Sequence, residues 1–140
     1  VSDGDCRACR PDWPPAESFI ADCGPARAYL HDDQFFPGWT LLILRRHATE
    51  LYELERAERA ALMEAVTDVA RALAATFEAV KMNYELLGNL VAHIHWHLVP
   101  RRADDPIPRQ PVWTLPHEPR VLAPAERRAR IEAIRRHLRP

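Results

Sequence analysis

No apolar run in this 140-residue chain approaches the roughly 18 residues that a membrane span requires. The first residues, Val1 to Cys6, lack the basic and then apolar order of a signal peptide, and the expected location is therefore the cytosol. An excess of either charge is also missing. Nineteen Lys and Arg against 20 Asp and Glu leave a formal charge of -1. That balance is too even to hold a nucleic-acid backbone or an anionic membrane by bulk electrostatics, so any anionic ligand has to be small and locally bound. Cysteines number only three, an odd count that argues against a disulfide framework and leaves metal binding or free thiols. There is no internal repeat and no low-complexity tract. Proline is plentiful overall, at 13 residues, yet absent between Gly38 and Val99. Since proline interrupts helix and sheet hydrogen bonding, that stretch is expected to hold most of the regular structure.

With 47% hydrophobic residues, a chain of this length can bury a core without covalent staples, and residues 1–140 read as one domain. Within it, the core runs from about residue 6 to 102, a proline-rich tail covers 103–124 and a C-terminal helix covers 125–138. Residues 18–22 and 27–31 read as short strands separated by the turn signal Cys23-Gly24-Pro25. Residues 39–44 follow Pro37-Gly38 as an apolar strand, buried on both faces. From Leu54, the stripe Leu62, Val66, Val69, Leu73, Phe77, Val80 advances by threes and fours, the signature of a long amphipathic helix lying on a sheet. Residues 81–87 and 91–99 read as a hairpin turning at Gly88-Asn89. The tail carries seven prolines from Pro100 to Pro124 and is expected to meander with little core of its own. Ala129, Ile131, Ala133, Ile134 and Leu138 mark the last helix, started by Pro124. These elements make an α+β fold, a mainly antiparallel five-stranded sheet with one long helix packed on it and a C-terminal helix.

The most informative segment is His93-Ile94-His95-Trp96-His97-Leu98-Val99. In a helix, residues two apart point about 200° from each other, whereas in a strand all three histidines share a face, about 6.6 Å apart, and can converge on one phosphate-sized group. Ile94, Trp96 and Leu98 then fix the register by packing on the long helix. A lone histidine on a strand is ordinarily a partly exposed polar residue, and strict alternation of three is poorly explained that way. A catalytic zinc site is the rival chemistry. Cys6-Arg7-Ala8-Cys9 has the spacing that brings two thiolates to one zinc ion, but by itself it is half a site. Cys23 has no partner in such a scheme. Arg101 and Arg102, just past the strand, read as solvated charges. Trp113 is large for an exposed loop and is expected to cover apolar surface.

The segment resembles the signature of the histidine triad family of nucleotide hydrolases and transferases, His-φ-His-φ-His-φ-φ with φ apolar, at every position. The similarity extends over roughly residues 6–102. It implies that His95 attacks the α-phosphorus of a nucleotide, forming a nucleotidyl-histidine intermediate that water hydrolyses, while His97 donates to a non-bridging oxygen or the leaving group. A backbone carbonyl is expected to hold one ring nitrogen of His95 as a donor. By resemblance to members with a structural zinc, Cys6, Cys9, His47 and His93 are the metal ligands. The same likeness suggests Asp32 or Asp33 for the ribose, and Asn83 and Asn89 near the phosphates. It further implies a small-molecule nucleotide substrate, such as a dinucleoside polyphosphate or an adenylate conjugate, and a homodimer. Leu90 departs from the pattern, standing where many members carry a phosphate-contacting hydroxyl. A nucleotide-binding regulatory module and a zinc-dependent hydrolase are the competing functions.

Overall fold

A computed structural model describes residues 3–138 of the chain. The outermost residues of the domain read from the sequence, 1, 2, 139 and 140, lie outside the described residues. Strands β1 (Phe19–Cys23), β2 (Ala26–Leu30), β3 (Thr40–Leu44), β4 (Lys81–Glu85) and β5 (His95–Arg101) form one sheet in the order β1-β2-β3-β5-β4. Every neighbouring pair is antiparallel. Helix α1 (Arg56–Phe77) connects β3 to β4, and α2 (Pro124–His137) closes the described chain. The observed architecture is the expected α+β sheet with one long and one C-terminal helix.

The apolar stripe of α1 explains its seat. Leu62, Val66, Val69, Leu73 and Phe77 are buried against Leu42, Leu44 and Leu98 of the sheet and Ile94 just before β5, with Ile131 and Ile134 of α2 completing the layer. The stripe ends earlier than the periodicity suggests. Glu78 takes the left-handed conformation at φ 51° and caps the helix by donating its N–H to Ala74, and Val80 is left largely exposed. All five residues of β3 are buried, because the sheet's other face is also covered.

That second cover corrects the expectation of a coreless tail. Val112 joins Phe36, Trp39 and Val99 in a separate apolar cluster, with Ile107 and Leu115 packed against it. Arg101 anchors the same tail and is not solvated. It is 3% exposed, and its five N–H donors reach Asp105 (2.5 and 3.0 Å), Asn83 (2.6 Å) and the carbonyls of Gln110 and Ile107 (both 2.8 Å). Sequence position alone hides this, because the carboxylate that pairs Arg101 arrives from the loop immediately after the strand. Arg102 pairs at the surface with Asp104.

The hairpin expectation is corrected as well. β4 stops at Glu85, and β5 begins only at His95 and runs through Pro100 to Arg101. Residues 86–94 form an irregular loop in place of a tight turn at Gly88-Asn89. The cause lies beyond β3. Ile94 gives its N–H to Ala48 and accepts from Leu44 N–H, so the chain before β5 bonds to the segment leaving β3 and not to β4. Pro100 is tolerated because the β3 ladder ends at Thr40 opposite Leu98, leaving Pro100 where only β4 flanks the strand.

One glycine fixes the entry to β3. Gly38 has φ 90°, and a Cβ there would lie 2.5 Å from the Phe77 ring and 2.8 Å from Pro100. Only glycine permits this approach, and it sets Trp39 beneath the histidine face.

Candidate active site and metal cluster

His95 and His97 emerge from the same face of β5, opposite Ile94 and Leu98, which enter the core. Their rings lie 5.2 Å apart, centroid to centroid. His93 precedes the strand, and its ring goes elsewhere. The expected common face for all three imidazoles therefore holds for two of them, because the bend before β5 redirects the first.

The backbone of His93 nevertheless serves the site. Its carbonyl lies 2.7 Å from His95 Nδ1, so Nδ1 carries the proton and donates, and Nε2 keeps its lone pair. This supplies the carbonyl partner that the chemistry of a histidine nucleophile requires. His97 is fixed in the opposite sense. The indole N–H of Trp39 donates to His97 Nδ1 at 3.0 Å, which places the His97 proton on Nε2. Burial, followed by the nearby His95 and His31 rings, pushes the His97 pKa down to about 3, so the ring is neutral. Trp39 is 3% exposed and stacked on His31 at 4.3 Å. Burial also holds the His31 pKa below its ordinary value.

His95 and His97 open onto a cleft of about 240 Å³. Leu41, Leu87, Leu90, Val91 and the indoles of Trp13 and Trp113 form its apolar walls. Its polar lining is His31, Asn89 and the two triad histidines, and among the described residues no Asp, Glu, Lys or Arg side chain contributes. Trp113 packs edge-on against both Trp39 and His97, each at 5.1 Å, and its indole donates to Glu85.

A second group sits behind this cleft. Cys6 Sγ is 3.5 Å from His93 Nδ1, and Cys9 Sγ is 3.5 Å from His47 Nδ1 and 3.6 Å from His93 Nδ1. The two Nδ1 atoms are 3.3 Å apart. Zinc bonds of about 2.3 Å to sulfur and 2.05 Å to nitrogen set tetrahedral edges of roughly 3.3 Å between nitrogens and 3.5 Å between nitrogen and sulfur. The cluster has those dimensions. His93 Nε2 donates to the Leu44 carbonyl at 2.7 Å, which turns the Nδ1 lone pair toward the sulfurs and supplies the outer hydrogen bond typical of a ligating histidine. These four side chains could hold one metal ion, with all ligand atoms within 4.8 Å of one another.

The remaining sequence-derived residues separate. Asn89 reaches the cleft. Asn83 lies further along the sheet, where its side-chain oxygen accepts from Arg101. Asp32 is exposed beside a different, small cavity. Asp33 binds the tail, accepting from Phe35 N–H and Arg120 N–H (both 2.9 Å) and from His117 Nε2 at 2.7 Å. Sequence reasoning missed Trp39, His31 and Trp13. The register of β3 with β5, which sets Leu41 opposite His97, is the signal that brings Trp39 under the third histidine.

Comparison with known proteins agrees with this geometry. The model of the family described as HIT domain matches residues 16–104. The chain is 30% identical to Protein hit of Bacillus subtilis (strain 168) over 101 residues, 69% of this chain and 68% of that protein. A solved histidine triad protein from Bradyrhizobium japonicum is similar at a TM-score of 0.78 and 33% identity, with 87% of this chain and 92% of that chain covered. Another, from Sinorhizobium meliloti, is similar at 0.79 and 30% identity, covering 86% and 88%.

Proposed function

This chain belongs to the histidine triad (HIT) domain family, and from that premise we propose that it hydrolyses or transfers nucleotides at the α-phosphate of dinucleoside polyphosphates or adenylate conjugates. The observation that carries the reading is the hydrogen bond from His95 Nδ1 to the His93 carbonyl, which leaves a nucleophilic Nε2 beside the neutral Nε2–H of His97. His95 Nε2 attacks phosphorus and displaces the leaving group. His97 stabilises the charge that builds on a phosphoryl oxygen, and water then releases the nucleotide. Asn89, at the cleft, is a nucleotide contact in this scheme. Asp32, Asp33 and Asn83 reach a nucleotide only if the substrate extends past the cleft. The reading also includes a homodimer.

Zinc is the metal we propose for Cys6, Cys9, His47 and His93. A closed set of two thiolates and two imidazoles suits a structural ion with no open position, and its chemistry there is to hold the N-terminal segment against the residue that orients His95. The catalytic-zinc alternative finds little support, because His95 and His97 are not members of the cluster.

The test is intact-mass analysis of protein quenched during turnover of a dinucleoside polyphosphate. A nucleotidyl adduct on His95 is expected, and His95→Ala is expected to lose activity on the order of 10⁴-fold or more. A second reading, a binding module with little turnover, is favoured by Leu90, which is 100% exposed at the cleft where a hydroxyl would be expected. Tight nucleotide binding without adduct or product would select it.

A further inference from the structure

The Trp39 indole has a chemical consequence for the leaving group. Trp39 Nε1 has only a proton to offer, and it offers it to His97 Nδ1 in a buried position. A doubly protonated His97 would place N–H against N–H there, and burial of both residues makes that unsatisfied pair of donors costly. His97 is thus held as a neutral ring whose Nε2–H gives a hydrogen bond but not a proton. Other groups do not replace it. His31 Nδ1 meets both the N–H (3.1 Å) and the carbonyl (3.2 Å) of Asp33, the ring stacks flat on Trp39, and burial disfavours its charged form. Glu85, opposite His97 in the β4–β5 ladder, accepts from the Trp113 indole. His95 Nδ1–H is committed to the His93 carbonyl. The rest of the cleft lining is apolar apart from the Asn89 amide.

We propose that Trp39 is a positioning residue that confines His97 to its neutral Nε2–H form, and that the site therefore favours a phosphoanhydride at the α-phosphorus over a phosphoramidate. This rests on His95 being the nucleophile. With an anhydride, the His95 Nε2 lone pair forms the new P–N bond as the bridging P–O bond breaks, and that bonding pair leaves on the oxygen of the departing phosphate. A phosphate is stable as an anion and requires no proton at that moment. The His95 ring carries the positive charge until water forms a P–O bond, the P–N pair returns to Nε2, and the proton of water passes to solvent. With a phosphoramidate, the departing nitrogen has to gain a proton while the P–N bond breaks, because an amide anion is far too basic to leave. No group lining the cleft has one to give. Burial and the neighbouring His95 and His31 rings disfavour the imidazolium in the same direction, independently of the indole.

The experiment compares kcat/KM of the full-length protein for diadenosine tetraphosphate and adenosine 5′-phosphoramidate, which share the adenylyl group. The anhydride is expected to be preferred by about a hundredfold or more, roughly one proton-transfer contribution at the low end. His97→Gln, which keeps a neutral N–H donor, should retain anhydride cleavage within about tenfold, whereas His97→Ala should lose on the order of a hundredfold or more. Trp39→Phe should narrow the preference by freeing Nδ1 to take a proton, whereas a merely structural role would lower both rates together and leave their ratio alone. A phosphoramidate preference in the unaltered protein, equal damage from His97→Gln and His97→Ala, or an unchanged ratio in an active Trp39→Phe protein would each overturn the proposal. Absence of a His95 adduct with either substrate defeats the underlying function, whereas an adduct accompanied by phosphoramidate preference defeats only this inference.

Discussion

The His93 carbonyl accepts the Nδ1–H of His95 at 2.7 Å, while the ring of the same His93 joins Cys6, Cys9 and His47. One residue thereby links the metal cluster to the proposed nucleophile through its own backbone. Anything that loosens the His93 ring changes how the tautomer of His95 is held.

Replacing Cys9 by Ser removes one of four ligands without touching the cleft. Zinc content measured by atomic spectroscopy should fall from about one ion per chain, and unfolding free energy should drop by about 2 kcal/mol or more, since metal binding is folding free energy in such sites. Activity should fall as well, by roughly 10- to 100-fold, as for lost outer-shell support. His95→Ala should retain the metal. Zinc lost in His95→Ala but kept in Cys9→Ser would place the ion in the triad and reverse the assignment.

Arg101 presents a different dependency. Its partner Asp105 is also buried, and both interact with the tail that carries Trp113. Arg101→Met would leave the Asp105 carboxylate without its cation and several carbonyls without donors. A loss of roughly 3–5 kcal/mol is expected, measurable by urea unfolding. The double change Arg101→Met with Asp105→Leu should recover part of it, because no uncompensated charge then remains buried.

The contrast between Arg101 and the histidines shows what the sequence could reveal. Alternation in His93 to Val99 identifies a strand with a chemical face, and the spacing from Leu62 to Phe77 identifies the helix beneath it. Both are local periodicities. The ligand set of Cys6, Cys9, His47 and His93 joins residues up to 87 positions apart, and family resemblance, not pattern, brought it together. Arg101, Trp39 and Asp33 owe their roles to partners supplied by long-range register or by an irregular tail. The bend that separates His93 from His95 and His97 depends on the Ile94 to Ala48 bond, which no periodicity encodes.

His117 clasps the tail to the loop after β2. Burial alone would raise the Asp33 carboxyl, but the N–H groups of Arg120 and Phe35, with His117, outweigh it and hold the carboxyl below its usual range. Desolvation likewise opposes charge on His117, and its hydrogen bond to Asp33 overcomes this and raises its pKa. The Asp33 contribution is present above the unfolded carboxyl pKa and fades as pH falls through the lowered folded value. The His117 contribution is complete below the ordinary imidazole value of 6.5 and is lost as pH rises through the raised value. Amide exchange of residues 112–122, corrected for intrinsic rates, should therefore quicken above pH 6.5. In His117→Ala it should be fast throughout, without that pH dependence.

His97 gives the opposite sign. Its folded pKa, about 3, lies below the ordinary imidazole value of 6.5, so between these limits the unfolded chain binds a proton that the folded chain refuses. Stability is fully present above pH 6.5 and falls as pH drops toward 3, with a slope of up to about 1.4 kcal/mol per pH unit. Urea unfolding at pH 7 and pH 4.5 separates this from other acid effects when the protein is compared with His97→Gln. The metal ligands and carboxylates are present in both proteins, but glutamine takes up no proton. The unaltered protein should lose about 2 kcal/mol more than the variant over that interval. Equal losses would mean that His97 accepts a proton in the folded state, in which case the indole of Trp39 does not exclude the imidazolium and His97 is available as an acid to the leaving group.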